Sequence, residues 1–234
     1  MKKGFTLLEL LIVVAIIAIL SVIIIFVLNP AETLRKARDS QRMSDLNTLK
    51  TALGLYLTAT SSPKLDAAAA DCLTNNSGTA NASAQIYYSA EIANPTCAAA
   101  PGSPGADAVS GAAFPSDFCK TIGTTGAAAA DGTGWTPVGL SNLIGGSPIS
   151  NLPLDPTNTI GTATAPTSTD LVYRYTCQNK ATGGKPSYVF EIDAQLESDE
   201  FTSIDNKRAK DGGDNSSYYE VGNSLKLLPT GATF

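Results

Sequence analysis

The chain has 234 residues, of which 43% are hydrophobic, and a formal net charge of −5 at pH 7. It contains no histidine and therefore lacks the commonest general base and protein metal ligand. It also has no P-loop, GxSxG or HExxH motif, so we expect no enzyme activity. The acidic charge balance argues against broad nucleic-acid binding.

The first predicted element is the apolar segment from Phe5 to Leu28, which follows Lys2-Lys3-Gly4 and contains one charged residue, Glu9. As a helix it would be about 36 Å long, enough to span a bilayer core of about 30 Å. A cleaved secretory signal has a shorter apolar stretch and a small-x-small site after it, which this segment lacks. A carboxylate within a membrane span is costly, so a plain membrane anchor does not explain Glu9.

The segment Lys2-Lys3-Gly4 followed by Phe5-Thr6-Leu7-Leu8-Glu9 resembles the N-terminus of type IV prepilins and of type II secretion pseudopilins. The resemblance implies that residues 1–4 are a leader, removed after Gly4 by a prepilin peptidase, and that the new terminal Phe5 is N-methylated. It also implies that Glu9 neutralises the terminal amine of a neighbouring subunit. Two charges that are each costly in an apolar environment would then cancel, and their pairing would fix the axial register.

Residues 5–28 are thus the predicted transmembrane and assembly helix, and residues 29–58 its amphipathic continuation, with a bend at Asn29-Pro30. An apolar stripe at three- and four-residue steps should cover the downstream domain: Leu34, Ala37, Leu46, Leu49, Leu53 and Leu57. The segment from Arg35 to Asp45 mixes both signs of charge. We interpret it as a solvated face, with ion pairing between filament subunits as the alternative.

Residues 59–133 are predicted to form a variable loop region that is cross-linked by disulfides and contains one strand near residues 84–89. Four cysteines follow the apolar segment: Cys72, Cys97, Cys119 and Cys177. An even number in an exported domain indicates two disulfides, with three connectivities open. Our working expectation pairs Cys72 with Cys97 and Cys119 with Cys177.

Residues 134–234 are predicted to form an antiparallel sheet and the C-terminal region. Apolar and polar residues alternate over 171–177 and 188–193, on either side of Gly183-Gly184, which predicts a hairpin. Gly134–Val138 and Tyr218–Val221 are weaker strand candidates. The expected fold is therefore α+β and pilin-like: a long N-terminal helix, membrane-spanning in its first half, packed on a small antiparallel β-sheet head.

Charge and cysteine content disagree about the side of the membrane on which this head lies. Only Lys2 and Lys3 precede the span, whereas four basic residues follow it: Arg35, Lys36, Arg38 and Arg42. The positive-inside rule would place the head in the cytoplasm. We expect a single-pass protein with its head outside, because acidic residues are interleaved with these basic ones and because disulfides form in oxidising compartments.

Two features of the head are candidate sites for a ligand or a modification. Acidic residues cluster over 191–205 and 211–214, and calcium, which some major pseudopilins hold in a C-terminal loop, is the candidate ligand. The spacing matches no calcium motif, however, so a solvated acidic loop and no cofactor are the default expectation. Asn75, Asn81 and Asn215 begin N-x-S/T triplets, which arise often by chance.

We expect a structural subunit of a type IV pilus-like filament, processed after Gly4 and polymerised through its N-terminal helix. The alternatives are a pseudopilin of a type II secretion system and a minor pilin that binds surface ligands or DNA. The expected partners are other copies of the chain, a prepilin peptidase/methylase, an inner-membrane pilus or secretion assembly platform, and lipid before assembly. The protein would lie in the cytoplasmic membrane and then in an extracellular or periplasmic filament.

Overall fold

The structure is a computed structural model that describes residues 4–66, 71–90, 102–115, 119–120, 126–160, 167 and 169–230, except for the side chains of 25–28. It begins with two consecutive helices, α1 (Leu7–Leu28) and α2 (Pro30–Ala59). Between them Asn29 adopts a left-handed conformation with φ 36° and ψ 74°. Asparagine tolerates this conformation, and proline suits the first position of a helix because no N–H is needed there. The expected bend is therefore a break of one residue.

A five-stranded sheet follows, with the order β2-β1-β3-β4-β5. Its strands are β1 (Ile86–Tyr88), β2 (Cys119–Lys120), β3 (Tyr173–Gln178), β4 (Val189–Ala194) and β5 (Tyr219–Gly222). β1 and β2 are parallel, and the other neighbours are antiparallel. The α+β, pilin-like fold class is thus confirmed, including the hairpin of β3 and β4.

The segment Gly134–Val138 is not a strand, so that prediction was wrong. The chain loops around Trp135, which is fully buried and donates a hydrogen bond from Nε1 to the Pro153 carbonyl at 2.8 Å. A Cβ on Gly134 would lie 2.0 Å from the Ala129 carbonyl oxygen, so the backbone is packed too closely here for any larger residue. Trp135, between Gly134 and Pro137, therefore belongs to a loop that fills the core.

One face of the sheet packs on α2 through Leu46, Leu49 and Leu53, all fully buried. They contact a cluster of sheet residues that includes Tyr173, Tyr175, Phe190 and Ile192. The apolar stripe of α2 is confirmed over this part, whereas Leu34, at 61% exposure, and Ala37 lie outside the packed face.

The opposite face of the sheet is also covered, by Leu227 and Leu228 of the C-terminal segment together with Tyr218 and by residues within 108–114. Strand residues that alternation assigns to solvent are consequently buried: Arg174, Thr176, Glu191 and Asp193. Glu191 is bonded within the chain, since its Oε2 accepts hydrogen bonds from the N–H groups of Leu227 and Leu228.

The expected disulfide pairing was wrong. Cys72 is bonded to Cys177 of β3, 105 residues further along the chain. The segment after Asp71 runs beside β3, and the Leu73 N–H donates to the Cys177 carbonyl at 2.8 Å, which brings the two cysteines together. Cys119 on β2 is also disulfide-bonded, and Cys97 lies outside the described residues.

Candidate assembly site

The N-terminal segment presents an uncovered apolar surface. Within the described part of the chain, α1 is the one helix long and apolar enough to cross a membrane, with a mean hydropathy of 3.2 over Leu7–Ile24. None of that window is buried in the chain, and Phe5 before it is 76% exposed. Such a surface is stable only in lipid or against other apolar helices.

Thr6 sets the start of α1 and keeps Phe5 outside the helix. Its backbone is extended, and its Oγ1 accepts a hydrogen bond from the Glu9 N–H at 3.2 Å. Threonine is a favoured N-cap because its side chain satisfies one of the unpaired N–H groups of the first turn. Cleavage after Gly4 would therefore create an α-amine on Phe5, one residue before the N-cap of α1.

The Glu9 side chain is exposed in the first turn of α1, in line with its position in the predicted site. Among the described residues, its carboxylate has no hydrogen-bond or ion-pair partner. Gly4 and Phe5 are likewise exposed, so the three residues predicted for processing and assembly share one accessible end of the molecule. A carboxylate placed this way within an apolar surface can pair with a cation from another molecule.

The first half of α2 is fixed to the head by a buried ion network around Arg42. The Arg42 guanidinium, with no exposed surface, donates to Asp155 from Nε at 2.6 Å and from Nη2 at 2.9 Å. Its Nη1 donates to Asp39 and to Glu197, both at 2.7 Å. This network connects α2 with the turn after Leu152 and with the segment after β4.

Asp39 completes the network from the helix side. Its carboxylate accepts hydrogen bonds from the backbone N–H groups of Glu197 and Ser198, and from the Ser198 hydroxyl at 2.6 Å. Arg38 forms a bidentate ion pair with Glu197, in which Nε donates to Oε2 at 2.8 Å and Nη2 donates to Oε1 at 3.0 Å. Three carboxylates and two guanidiniums thus satisfy one another where α2 meets the head.

The pKa values of the network follow from these contacts. Burial alone would lower the pKa of Arg42, but its hydrogen bonds to Asp155, Glu197 and Asp39 outweigh burial and raise it above its ordinary value. Burial would raise the pKa of Glu197, yet the hydrogen bonds from Arg38 and Arg42 lower it. Arg42 and Glu197 therefore remain charged at neutral pH.

This network corrects the interpretation of Arg35–Asp45 as a solvated or inter-subunit face. Asp39 and Arg42 are fully buried, and they pair within the chain. Only the outer side of the helix matches the expectation: Arg35 is half-exposed and pairs with Glu32 at 3.9 Å.

The acidic stretches bond to the protein itself. Asp205 pairs with Lys207 and Lys210, and the Asp211 carboxylate accepts the N–H groups of Gly213 and Glu220. In the described part of the chain, no group of three or more acidic or cysteine side chains is arranged to hold a metal ion. Calcium binding stays a prediction from the sequence.

In comparison with known protein families, residues 1–25 match the prokaryotic N-terminal methylation motif. This match supports a type IV pilin-like family. It does not separate pilins from pseudopilins. Neither the curated proteins nor the solved structures contain a match to this chain. The support for a pilin-like protein therefore comes from its first 25 residues and its fold class.

Sequence reasoning missed the buried ion network of Asp39, Arg42 and Asp155. A signal was present, because Asp39 and Arg42 continue the stripe of Leu46, Leu49 and Leu53 at steps of three and four residues. A charged pair on a helix's packed face indicates a buried ion pair when a partner segment supplies the remaining groups.

Proposed function

We propose that this chain is a structural subunit of a type IV pilus-like filament, cleaved after Gly4, N-methylated at Phe5 and polymerised through α1. The observation that carries the proposal is the methylation motif over residues 1–25, on an apolar helix that the rest of the chain leaves uncovered. The membrane covers this helix before assembly, and other α1 helices cover it afterwards. The role is structural rather than catalytic.

Glu9 supplies the register of assembly. In one chain the Phe5 amine lies about one helical turn before Glu9, so pairing the two within that chain is strained by the fraying of the first turn of α1. Between staggered chains, the amine of one subunit meets the Glu9 carboxylate of the next without that cost. Each pair removes two charges from an apolar environment, so only one axial offset between neighbours is favourable.

The Arg42 network gives the head a fixed position on α2. Subunits packed through α1 transmit load to their heads along the helix, and a head held only by apolar contacts could slide along it. The paired geometry at Asp155, Asp39 and Glu197 specifies one position, because any displacement would leave buried charges unpaired.

The proposed partners act on different parts of the chain. A prepilin peptidase/methylase acts at Gly4 and Phe5, an inner-membrane assembly platform moves the subunit from lipid to filament, and other copies of the chain form the polymer. The head then lies outside the cytoplasmic membrane, in an extracellular or periplasmic filament.

The test replaces Glu9 by Gln, which keeps the shape of the side chain and removes its charge. We expect normal amounts of the variant in the membrane but at least about tenfold less in the filament fraction, because an unpaired buried charge costs about 3–5 kcal/mol. Negative-stain microscopy and quantitative blotting of sheared and membrane fractions measure both quantities in the native host.

Ser21→Ala is the matched control, since it removes a polar group of α1 whose hydroxyl bonds only to the Ile17 carbonyl of the same helix. It should assemble as the wild type does. Normal assembly of Glu9→Gln would refute the register mechanism. Long sheared surface fibres would favour a pilus over the short filament of a secretion pseudopilin.

A further inference from the structure

Three N-x-S/T triplets are equivalent in the sequence but not in the structure. They begin at Asn75, Asn81 and Asn215, and each is followed two residues later by serine. A glycan linked to such a triplet is attached to the side-chain nitrogen, Nδ2. The surroundings of that atom therefore decide which triplet can be modified in the folded head.

Two of the three nitrogens are already used by the fold. Asn81 Nδ2 donates to the Cys72 carbonyl at 2.9 Å, beside the disulfide. Asn215 is 2% exposed, and its Nδ2 donates to the Pro229 carbonyl at 3.0 Å. A sugar on either nitrogen would have to fit beside that hydrogen bond, which is partly buried at Asn81 and buried at Asn215. At Asn215 the surrounding protein leaves no space for it.

Asn75 differs because only its oxygen is held. Asn75 Oδ1 accepts hydrogen bonds from the Ser77 N–H at 3.0 Å, the Ser77 hydroxyl at 3.0 Å and the Thr79 N–H at 2.9 Å. Three donors on one atom identify it as the carbonyl oxygen, so the amide orientation is unambiguous. Within the described ranges, Asn75 Nδ2 donates no hydrogen bond, and its neighbours Asn76 and Ser77 are exposed.

The position of this turn in the molecule suits a modified subunit. The turn packs against the loop between β3 and β4, where the Thr182 hydroxyl donates to the Gly78 carbonyl at 3.2 Å. The same loop bonds to the chain just after α2, through the Leu65 N–H and Asn179 Oδ1. The turn therefore lies at the end of the head next to the C-terminus of α2, remote from α1, and a glycan there leaves the assembly helix free.

We propose that Asn75 is an N-glycosylation site, modified by a membrane oligosaccharyltransferase that uses a polyprenyl-diphosphate-linked oligosaccharide. In the transfer, the bond between the anomeric carbon and the phosphate oxygen breaks, and a bond from that carbon to Nδ2 forms. The amide proton goes to a base of the transferase, and polyprenyl diphosphate leaves. The inference rests on the outward location of the head in the proposed function.

The test is peptide mapping of the full-length protein isolated from its own host, with electron-transfer fragmentation to locate the sugar. We expect carbohydrate mass on Asn75 and none on Asn81 or Asn215. Asn75→Gln and Ser77→Ala should each remove that mass from the intact protein. Asn76→Gln, an exposed neighbour outside the acceptor position, should retain it.

An unmodified Asn75 in the wild type, or carbohydrate that persists in Asn75→Gln, would overturn the proposal. The Cys72–Cys177 peptide in the same digest shows whether each variant has folded. The N-terminal peptide reports cleavage after Gly4 separately. A processed N-terminus with a bare Asn75 would refute the glycan and leave the filament subunit standing, whereas a glycosylated chain that still begins at Met1 would do the reverse.

Discussion

The two consecutive helices reverse the usual relation between residue type and burial. α1 is almost wholly apolar and has no buried residue over Leu7–Ile24, whereas the first half of α2 is rich in charge and buries Asp39 and Arg42 completely. The difference shows how each helix is stabilised. α2 is covered by the head of its own chain, through ion pairs first and leucines further along, whereas in the proposed function α1 is covered by lipid or by other copies of the chain.

The largest expected effect on the head is the loss of Arg42. Arg42→Ala leaves Asp39 and Asp155 buried without their cation, and we expect it to lower the free energy of unfolding by about 3–5 kcal/mol. Urea unfolding of the full-length protein in detergent, followed by near-UV circular dichroism, measures this change. Arg35→Ala, which removes a half-exposed arginine about two turns earlier in α2, should cost less than about 1 kcal/mol.

If the two variants were equally stable, the buried network would not hold the head on α2. Arg42→Met offers a sharper test, because it keeps much of the volume and removes the charge. It should also destabilise the head, since the carboxylates remain unpaired.

Replacing a leucine by alanine should have different effects in the two helices. Leu49→Ala removes a fully buried side chain of α2 and should cost about 2–5 kcal/mol of head stability. Leu11→Ala removes a side chain of α1 that is 62% exposed in the single chain, so we expect no change in head unfolding. It should instead reduce filament yield. A head destabilised by Leu11→Ala would show that the two helices are not independent in this way.

The smallest expected effect concerns two buried glutamates on neighbouring strands, Glu191 and Glu220. Burial, together with hydrogen bonding and repulsion between the two carboxyl groups, raises the pKa of Glu220 well above its ordinary value. The folded head therefore holds a proton that the unfolded chain releases above about pH 4.5. Stability should fall as the pH rises from there towards the raised pKa.

Glu220→Gln can still accept the hydrogen bond from the Asn215 N–H but cannot ionise. Its stability relative to the wild type should increase between pH 5 and pH 8 by about 1 kcal/mol or more. Hydrogen bonds from Lys207 and Lys210 lower the pKa of Asp205 to about 2, so Asp205→Asn should show no pH-dependent difference over that range. Parallel pH profiles for Glu220→Gln and the wild type would contradict the assignment of the proton to this pair.

Local periodicity predicted the elements that one segment specifies by itself. The apolar run predicted α1, and the alternation over 171–177 and 188–193 predicted the hairpin of β3 and β4. The N-terminal motif, which depends only on adjacent residues, predicted the family that the profile match supports. These features need no knowledge of distant parts of the chain.

Features that depend on distant segments were not predictable in the same way. Cys72 bonds to Cys177 because a loop runs beside β3, which sequence spacing does not encode. Arg174 and Glu191 are buried because the C-terminal segment covers the second face of the sheet. Arg42 is buried because Asp155, more than a hundred residues away, supplies its charge partner.

The most direct test of processing after Gly4 is a mass spectrum of the N-terminal peptide of the protein isolated from its own host. We expect a chain that begins at N-methylated Phe5, with the leader Met1–Gly4 removed. A chain that begins at Met1 would contradict it, because no new amine would then exist to pair with Glu9.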